Sequence, residues 1–186
     1  MAHMLNYVNV MGIEVNASCP NTGHPMNDVQ SVVDDVKAVK KSCRHPIIVK
    51  VSVAQDYCEI VRRLEGIAEA VSLNSVPWEM ICPSKTPSRK SPLWRLEEKV
   101  GGGGGGVSGK LAQKLNWLAV NQLATQVHAM PIIGPSIMEY RDLARVRAAG
   151  ASAVSFGAIH LRTPWKPTSI VEKEMRYESV YDAPTG

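Results

Sequence analysis

Apolar and polar positions alternate along the chain in blocks typical of strands and helices. Five short apolar runs, rich in β-branched residues, predict buried strands. They span residues 12–15, 47–53, 70–73, 131–134 and 153–156. Helical spacing of apolar residues separates these runs, and strands that alternate with helices predict right-handed βαβ units and a parallel sheet.

The predicted helices follow from apolar positions three and four residues apart. They cover residues 29–39, 57–64, 108–123 and 138–149, and a last helix is predicted to begin within 168–175. The third of them has a row of leucines that we expect to face the core, namely Leu111, Leu115, Leu118 and Leu123. In the fourth, Leu143 and Val146 are predicted to face inward, and Gly150 is expected to end the helix.

About five strand–helix units fit either part of an eight-stranded (β/α) barrel or a small doubly wound sheet. The 186 residues fall short of the about 250 that a complete barrel typically needs. Residues 76–107 show no clean period and contain six consecutive glycines at 101–106, so we expect an irregular insertion within a single domain spanning 1–186. In both folds, functional residues follow the carboxyl ends of the strands.

Composition and charge exclude several classes of function. Hydrophobic residues make up 45% of the chain and charged residues 20%, as in a globular protein, and the net charge of +4 is not gathered into a basic stripe with interleaved aromatics. Nucleic-acid binding is therefore not expected. Cys19, Cys43, Cys58 and Cys82 lack the spacing of metal ligands, which predicts no metal site. The chain has no apolar run near 18 residues, so we expect a cytoplasmic protein with free thiols and no membrane association.

The first candidate for chemistry is the loop from Asn16 to Asn21, which follows the first strand and contains Cys19. Two amides can hold a planar ligand that carries carbonyl and ring N–H groups, and a thiol between them can remove a proton once its pKa is lowered. A simple turn of Asn, Ser and Pro beside a buried cysteine is the structural alternative.

Three further candidates lie at or near other strand ends. Lys50 stands inside an apolar strand, where a charge needs a partner. The partner is a phosphate or an electron-rich ring if Lys50 binds a ligand. Alternatively, the side chain reaches water at a sheet edge. Asn74 and Ser75 follow the third strand, where they can contact a ligand or form a turn. Gly105 and Gly106 precede a helix, where their backbone can approach an anion or serve as a flexible linker.

Two glycine-bearing strand ends near the carboxyl terminus complete the set. Gly134 ends the fourth strand, and Gly157 and Ala158 follow the fifth. This arrangement is similar to the phosphate site of flavin-binding barrels, which is built after the last two strands.

Taken in order, these features resemble the dihydroorotate dehydrogenase family. The stretch Asn16-Ala17-Ser18-Cys19-Pro20-Asn21 matches the Asn-x-Ser-Cys-Pro-Asn loop of that family's first class. The second class of the family has Ser in place of this Cys. Dihydropyrimidine dehydrogenase has a similar Ser-Cys-Pro loop, but Asn21 favours the dihydroorotate enzyme. The resemblance covers about residues 12–158 and implies a partial TIM barrel that binds FMN and oxidises dihydroorotate to orotate.

The resemblance also implies a role for each candidate. Cys19 would be the base that removes the C5 proton while a hydride leaves C6 for the flavin. Asn16, Asn21, Asn74 and Ser75 would hold the substrate. The cofactor-binding positions would be Lys50, Gly105, Gly106, Gly134, Gly157 and Ala158.

The chain departs from the family pattern in two places. The family has three strands before the cysteine loop that are expected to be missing here, and Pro135-Ser136 stands where the family usually has a second glycine pair. Besides the enzyme, two alternatives therefore remain open. One is a non-catalytic scaffold, and the other is a partial barrel that a second chain or self-association completes.

Overall fold

A five-stranded parallel sheet forms the centre of the molecule in a computed structural model, which describes residues 2–18, 28–82, 91 and 105–181. Its strands are β1 Ile13–Asn16, β2 Ile47–Val51, β3 Ala70–Leu73, β6 Ile132–Gly134 and β7 Ala153–Val154. The short strands β4 Val76–Pro77 and β5 Gly106–Val107 form a separate antiparallel pair. This pair joins the two ends of the segment expected to be an insertion.

Helices fill the connections between the strands. They are α1 Val29–Ser42, α2 Tyr57–Leu64, α3 Trp78–Ile81, α4 Gln113–Gln126, α5 Arg141–Ala148, α6 Ala158–Arg162 and α7 Lys166–Tyr181. Two 3-10 helices span Ala2–Tyr7 and Gly109–Ala112. Asp28 and Asp56 begin α1 and α2, because each carboxylate accepts a hydrogen bond from the backbone N–H three residues later.

The order of the strands decides between the two predicted folds. Each strand of the central sheet pairs with the next one along the chain, from β1 through β2, β3 and β6 to β7. A doubly wound sheet would reverse its order at a switch point, with helices on both faces. Here α1 packs on α2 and α2 on α4, so these helices lie in one layer. The α/β fold with five units of a partial (β/α) barrel is therefore confirmed.

The two faces of the sheet differ in burial. On β2, Ile47, Val49 and Val51 are fully buried against the helices, whereas Ile48 and Lys50 on the other face are only half-buried. Asn16 lies in register with Lys50, and Lys50 in turn with Ser72. The face turned away from the helices, which would be the inside of a barrel, thus carries a row of polar side chains.

The predicted helix over 108–123 is present, but its inward face was wrong. The 3-10 helix comes first, and α4 begins only at Gln113. Leu111 and Leu118 are 66% and 58% exposed, while Gln113 and Asn116 are buried with Leu123. The buried polar side chains bond to the loop after β6, and Ala119, Val120 and Leu123 supply the apolar part of the inward face.

The remaining elements agree with the predictions within a few residues. The fifth strand is shorter than predicted, at Ala153–Val154, and the short helix α6 after it was not predicted. Leu143 and Val146 face inward on α5 as expected. Gly150 ends α5 with a φ of +108°, which an L-residue rarely adopts.

Gly134 allows α5 to approach the sheet closely. A Cβ added there would lie 2.4 Å from Cγ2 of Val146 and 2.9 Å from Cβ of Ala151. We therefore expect Gly134→Ala to lower the free energy of unfolding by about 1–3 kcal/mol through overpacking. Urea unfolding followed by circular dichroism measures this. The control is Gly106→Ala, whose added Cβ meets no atom closer than 3.5 Å; an equal loss in both variants would contradict the packing explanation.

Candidate active site

A polar cavity lies at the carboxyl ends of the parallel strands. It encloses about 550 Å³, part of it open to solvent, and all five strands of the central sheet or the loops after them contribute to its wall. The lining residues of this strand-end cavity are Glu14, Lys50, Ser72, Asn74, Ser108, Gly109, Pro135, Ser136, Ser155, Phe156, Gly157 and Ala158. In (β/α) barrels this end of the sheet is where ligands bind.

Lys50 faces the strand-end cavity and does not reach out at a sheet edge. β2 lies between β1 and β3, and Lys50 alternates with the fully buried Val49 and Val51. Its Nζ is 2.8 Å from Oε1 of Glu14. Both side chains keep some exposure, so this ion pair is worth at most about 1 kcal/mol. It orients the ammonium group at low cost and can yield to a charged ligand.

Asn74 presents an amide to the same cavity. Its Oδ1 accepts hydrogen bonds from the Ser75 backbone N–H at 2.8 Å and from Oγ of Ser108 at 3.4 Å. Its side-chain N–H groups have no partner among the residues that the structure describes. Asn74 can therefore donate to a carbonyl or carboxylate oxygen of a ligand.

Other predicted site residues surround the cavity without lining it. Asn16 is exposed on the open face of the sheet, where its Oδ1 accepts from Oγ of Ser18. Ser75 has a φ of +62°, and its backbone oxygen accepts from Ser52. Gly106 pairs with Pro77 next to Ser75, and the Gly105 carbonyl accepts from the Trp78 N–H.

The three positions predicted to bind phosphate separate into two kinds. Gly157 and Ala158 line the strand-end cavity, and a Cβ on Gly157 would meet no atom within 4 Å. Gly134 is buried, and the space that a Cβ would need is filled by α5. The structure thus explains Gly134 by packing, and its contact with a phosphate stays a prediction.

Ser136 adopts a backbone conformation that glycine adopts freely. Its φ is +67°, and it lies in the cavity wall. The resemblance led us to expect glycine here, and the left-handed backbone of Ser136 is the conformation that glycine adopts at least cost. The Pro135 carbonyl accepts a hydrogen bond from Nε1 of Trp117 at 3.0 Å.

A buried polar cluster supports this wall from behind. Nε2 of Gln113 donates to the Ser136 carbonyl and to Oδ2 of Asp142, both at 2.8 Å, and Nδ2 of Asn116 donates to Oγ of Ser136 at 3.0 Å. Oδ2 of Asp142 also accepts from the backbone N–H groups of residues 138 and 139. These bonds join α4 to the start of α5, and they hold the loop between β6 and α5 in one conformation.

The predicted base and its neighbouring amide, Cys19 and Asn21, lie outside the described residues. Among the described cysteines, Cys43 and Cys58 are buried and Cys82 is half-buried. Burial raises the pKa of the Cys58 thiol, the nearby Asp56 raises it further, and Arg62 opposes both. Cys58 therefore stays protonated at neutral pH and is a poor nucleophile.

Sequence analysis missed two groups of residues that the structure places at this site. Glu14 could have been found from the two-residue period of β1, which puts it on the same face as Asn16 and beside Lys50. Ser136 was noted only as a departure from the family's glycine pair, and neither Ser136 nor Ser155 was predicted to line the site, because only the folded loops bring them to the cavity. The Gln113, Asn116 and Asp142 cluster was hidden by the leucine pattern of α4.

Metal-binding clusters and membrane-spanning helices are both absent from the described residues. Among them, no group of three or more His, Cys, Asp or Glu side chains is arranged to hold a metal ion. No helix in the described part of the chain is both long and apolar enough to cross a membrane.

Comparison with known proteins identifies the relatives of the chain. The model of the family described as "Dihydroorotate dehydrogenase" matches residues 1–176. A protein of Solibacter usitatus, named provisionally as dihydroorotate dehydrogenase A (fumarate), is 31% identical over 175 residues, which cover 90% of this chain and 54% of that protein.

Two further relatives are named dihydroorotate dehydrogenase B (NAD(+)), catalytic subunit. The Bacteroides thetaiotaomicron protein is 32% identical, covering 83% of this chain and 50% of its own length. The Petrotoga mobilis protein is 31% identical, covering 90% and 55%. The chain thus spans about half the length of the curated relatives that it matches.

Proposed function

The chain belongs to the dihydroorotate dehydrogenase family, and from that premise we propose that it takes part in the oxidation of dihydroorotate to orotate with FMN as its cofactor. One observation carries the proposal. Lys50, Asn74, Gly157 and Ala158 match ligand-contacting positions of the family, come from separate parts of the sequence, and line one cavity. This convergence of four predicted positions on one cavity supports the proposal.

The side chains of the strand-end cavity suit a flavin. Lys50 supplies a cation for the electron-rich carbonyl edge of the flavin ring, and Asn74 supplies amide donors for a substrate bound beside it. Gly157 and Ala158 leave open space where the cavity meets α6. Bound FMN would supply the acceptor for a hydride, while the protein supplies binding and orientation.

The protein's own groups have distinct roles in this proposal. Oxidation removes a proton from C5 and a hydride from C6 of dihydroorotate, and orotate keeps the new double bond. Cys19 accepts the C5 proton on its sulfur. Asn16, Asn21, Asn74 and Ser75 hold the ring carbonyls, N–H groups and carboxylate. Lys50, which is paired with Glu14 in the structure, would contact the flavin.

The first test is a titration of the purified chain with FMN. We expect quenching of flavin fluorescence, and the absorbance bands of oxidised flavin should remain with the protein after desalting. Anaerobic addition of dihydroorotate should then bleach those bands, because the substrate reduces the flavin. Lys50→Met should weaken FMN binding, whereas Lys110→Met, on the 3-10 helix, should not; equal binding by wild type and Lys50→Met would count against the site.

Cys19→Ala is expected to slow the reduction of bound flavin by dihydroorotate by about 10²–10⁴-fold, the usual contribution of a general base. FMN affinity should change little, since the base acts on the substrate. The rate is measured by anaerobic stopped-flow at saturating FMN. Cys82→Ala is the matched control, being a half-buried cysteine outside the cavity. A Cys19→Ala rate equal to that of Cys82→Ala would show that another group takes the proton.

A second candidate function is a barrel part that acts with another chain. It is favoured by the exposure of Asn16 and Glu14 on the open face of β1, which is an edge strand of the described sheet. An open edge can pair with a further strand. A folded but colourless protein that gains FMN only in a defined complex would support this candidate over an enzyme that acts alone.

A further inference from the structure

Two buried polar side chains connect the ends of the first three strands. Ser52 and Gln55, which we call the strand-end clamp, are 1% and 7% exposed. Oε1 of Gln55 accepts from the Ser52 backbone N–H at 2.8 Å, and its Nε2 donates to the Ala17 carbonyl at 3.0 Å. Oγ of Ser52 donates to the Ser75 carbonyl at 2.7 Å. The clamp therefore ties the chain after β1 and after β3 to the end of β2.

The clamp acts where the sheet itself stops. The ladder between β1 and β2 ends with the Ala17 N–H, which donates to the Lys50 carbonyl at 3.0 Å. Among the described residues, Gln55 is the one side chain that bonds to the Ala17 carbonyl. Asn16 and Ser18, on either side of Ala17, bond to each other. Within the described part of the chain, the Gln55 amide thus fixes the Ala17 carbonyl at the point where the chain leaves β1.

The identity of the residue matters because the two ends of the side chain do opposite things. Oε1 accepts a hydrogen bond and Nε2 donates one, and the uncharged glutamine amide does both from a single group. Glutamate would keep the bond from Ser52 but turn an oxygen towards the Ala17 carbonyl. An apolar residue would fill the space and leave both backbone groups without partners.

We propose that Gln55 is a positioning residue of the active site, which acts through Ala17 and contacts neither substrate nor cofactor. It holds Asn16 at the end of β1 in a fixed relation to Lys50 and Asn74 at the ends of β2 and β3. This inference rests on the proposed function. A displacement of about 1 Å at such a distance from the chemistry can cost up to about 100-fold in rate.

The test compares Gln55→Glu and Gln55→Met with Val36→Ala, which removes buried volume from α1 and serves as a control matched in stability. Both Gln55 variants should raise KM for dihydroorotate and the Kd of FMN by about tenfold or more. Val36→Ala should lower the melting temperature similarly and leave both constants within about twofold. If the buried glutamate of Gln55→Glu prevents folding, Gln55→Met still tests the proposal.

A second measurement separates this inference from the proposed function. Amide hydrogen exchange at Ala17 and Ser18 needs no ligand, and it should accelerate in the Gln55 variants but not in Val36→Ala. Faster exchange with no FMN bound by the wild type would support the clamp and reject the proposed function. Unchanged exchange, or binding constants that follow melting temperature alone in all three variants, would overturn the positioning role.

Discussion

Replacement of Asp142 by alanine is expected to lower the free energy of unfolding by about 3–5 kcal/mol. The carboxylate is fully buried, and one oxygen accepts three hydrogen bonds, from Nε2 of Gln113 and from the backbone N–H groups of Met138 and Glu139. Alanine would leave these donors without partners inside the protein, where each costs about 1–3 kcal/mol.

Urea unfolding of the Asp142→Ala variant measures this loss, with two controls. Asp142→Asn keeps an acceptor of the same shape and should lose clearly less. Asp56→Ala removes a carboxylate that accepts one bond at the start of α2, which is typically worth about 1 kcal/mol. If Asp142→Ala lost no more than Asp56→Ala, the three bonds to Asp142 would not be as important as the structure indicates.

The Asp142 substitution should also affect the strand-end cavity. The Gln113 amide bonds to both Asp142 and the carbonyl of Ser136. Loss of the Asp142 carboxylate therefore loosens the amide that holds the Ser136 carbonyl. Ser136 holds a left-handed backbone that a non-glycine residue adopts at a cost of about 1–2 kcal/mol. Stability and the shape of the cavity wall are thus linked by one buried amide.

Gly150→Ala is expected to cost about 2–5 kcal/mol, the sum of two penalties. The φ of Gly150 is +108°, which strains an alanine, and the added Cβ would lie 2.3 Å from Cβ of Ala124 on α4. The backbone here also ends α5, because the Gly150 and Ala151 N–H groups donate to the carbonyls of Arg147 and Val146. Thermal and urea unfolding measure the total.

A double-mutant cycle with Ala124→Gly divides the cost of Gly150→Ala. The second change removes the opposing Cβ, so it should restore the steric part and leave the part due to φ. We expect a coupling energy between about 0.5 and 3 kcal/mol, against a cost of about 1 kcal/mol for glycine within α4 alone. If the losses of the two single variants simply added up in the double variant, α4 would have to move away from residue 150. The backbone strain at φ would then explain the whole cost of Gly150→Ala.

Much of the fold followed from local pattern. The β-branched runs located β2 and β3 to within two residues, because a buried strand of a parallel sheet must be apolar on nearly every position that faces a helix. Gly150 was recognised as the end of α5, since a left-handed residue there is almost always glycine. The order of the strands could not be predicted, because both barrel and doubly wound folds share the same alternation of elements.

Site residues could be predicted where the residue type itself is unusual for its position in the sequence. They could not be predicted where burial depends on hydrogen-bond partners from distant parts of the chain. Lys50 stood out as a charge in an apolar strand, although its partner Glu14 did not. The leucines of α4 gave the wrong face because Gln113 and Asn116 gain hydrogen bonds inside that a period of apolar residues does not show. Gln55 likewise looked like an ordinary polar residue before a helix.

The antiparallel pairing of β4 with β5 has a consequence for how much this chain can vary in length. Val76 and Pro77 meet Val107 and Gly106 beside the strand-end cavity, so the two ends of the enclosed segment are fastened whatever its length. Doubling the length of a closed loop adds only about 0.6 kcal/mol of closure entropy. Insertions and deletions between these two strands can therefore be accommodated next to the strand-end cavity while the register of the central sheet is preserved, which makes this junction a natural place for grafting new recognition sequences.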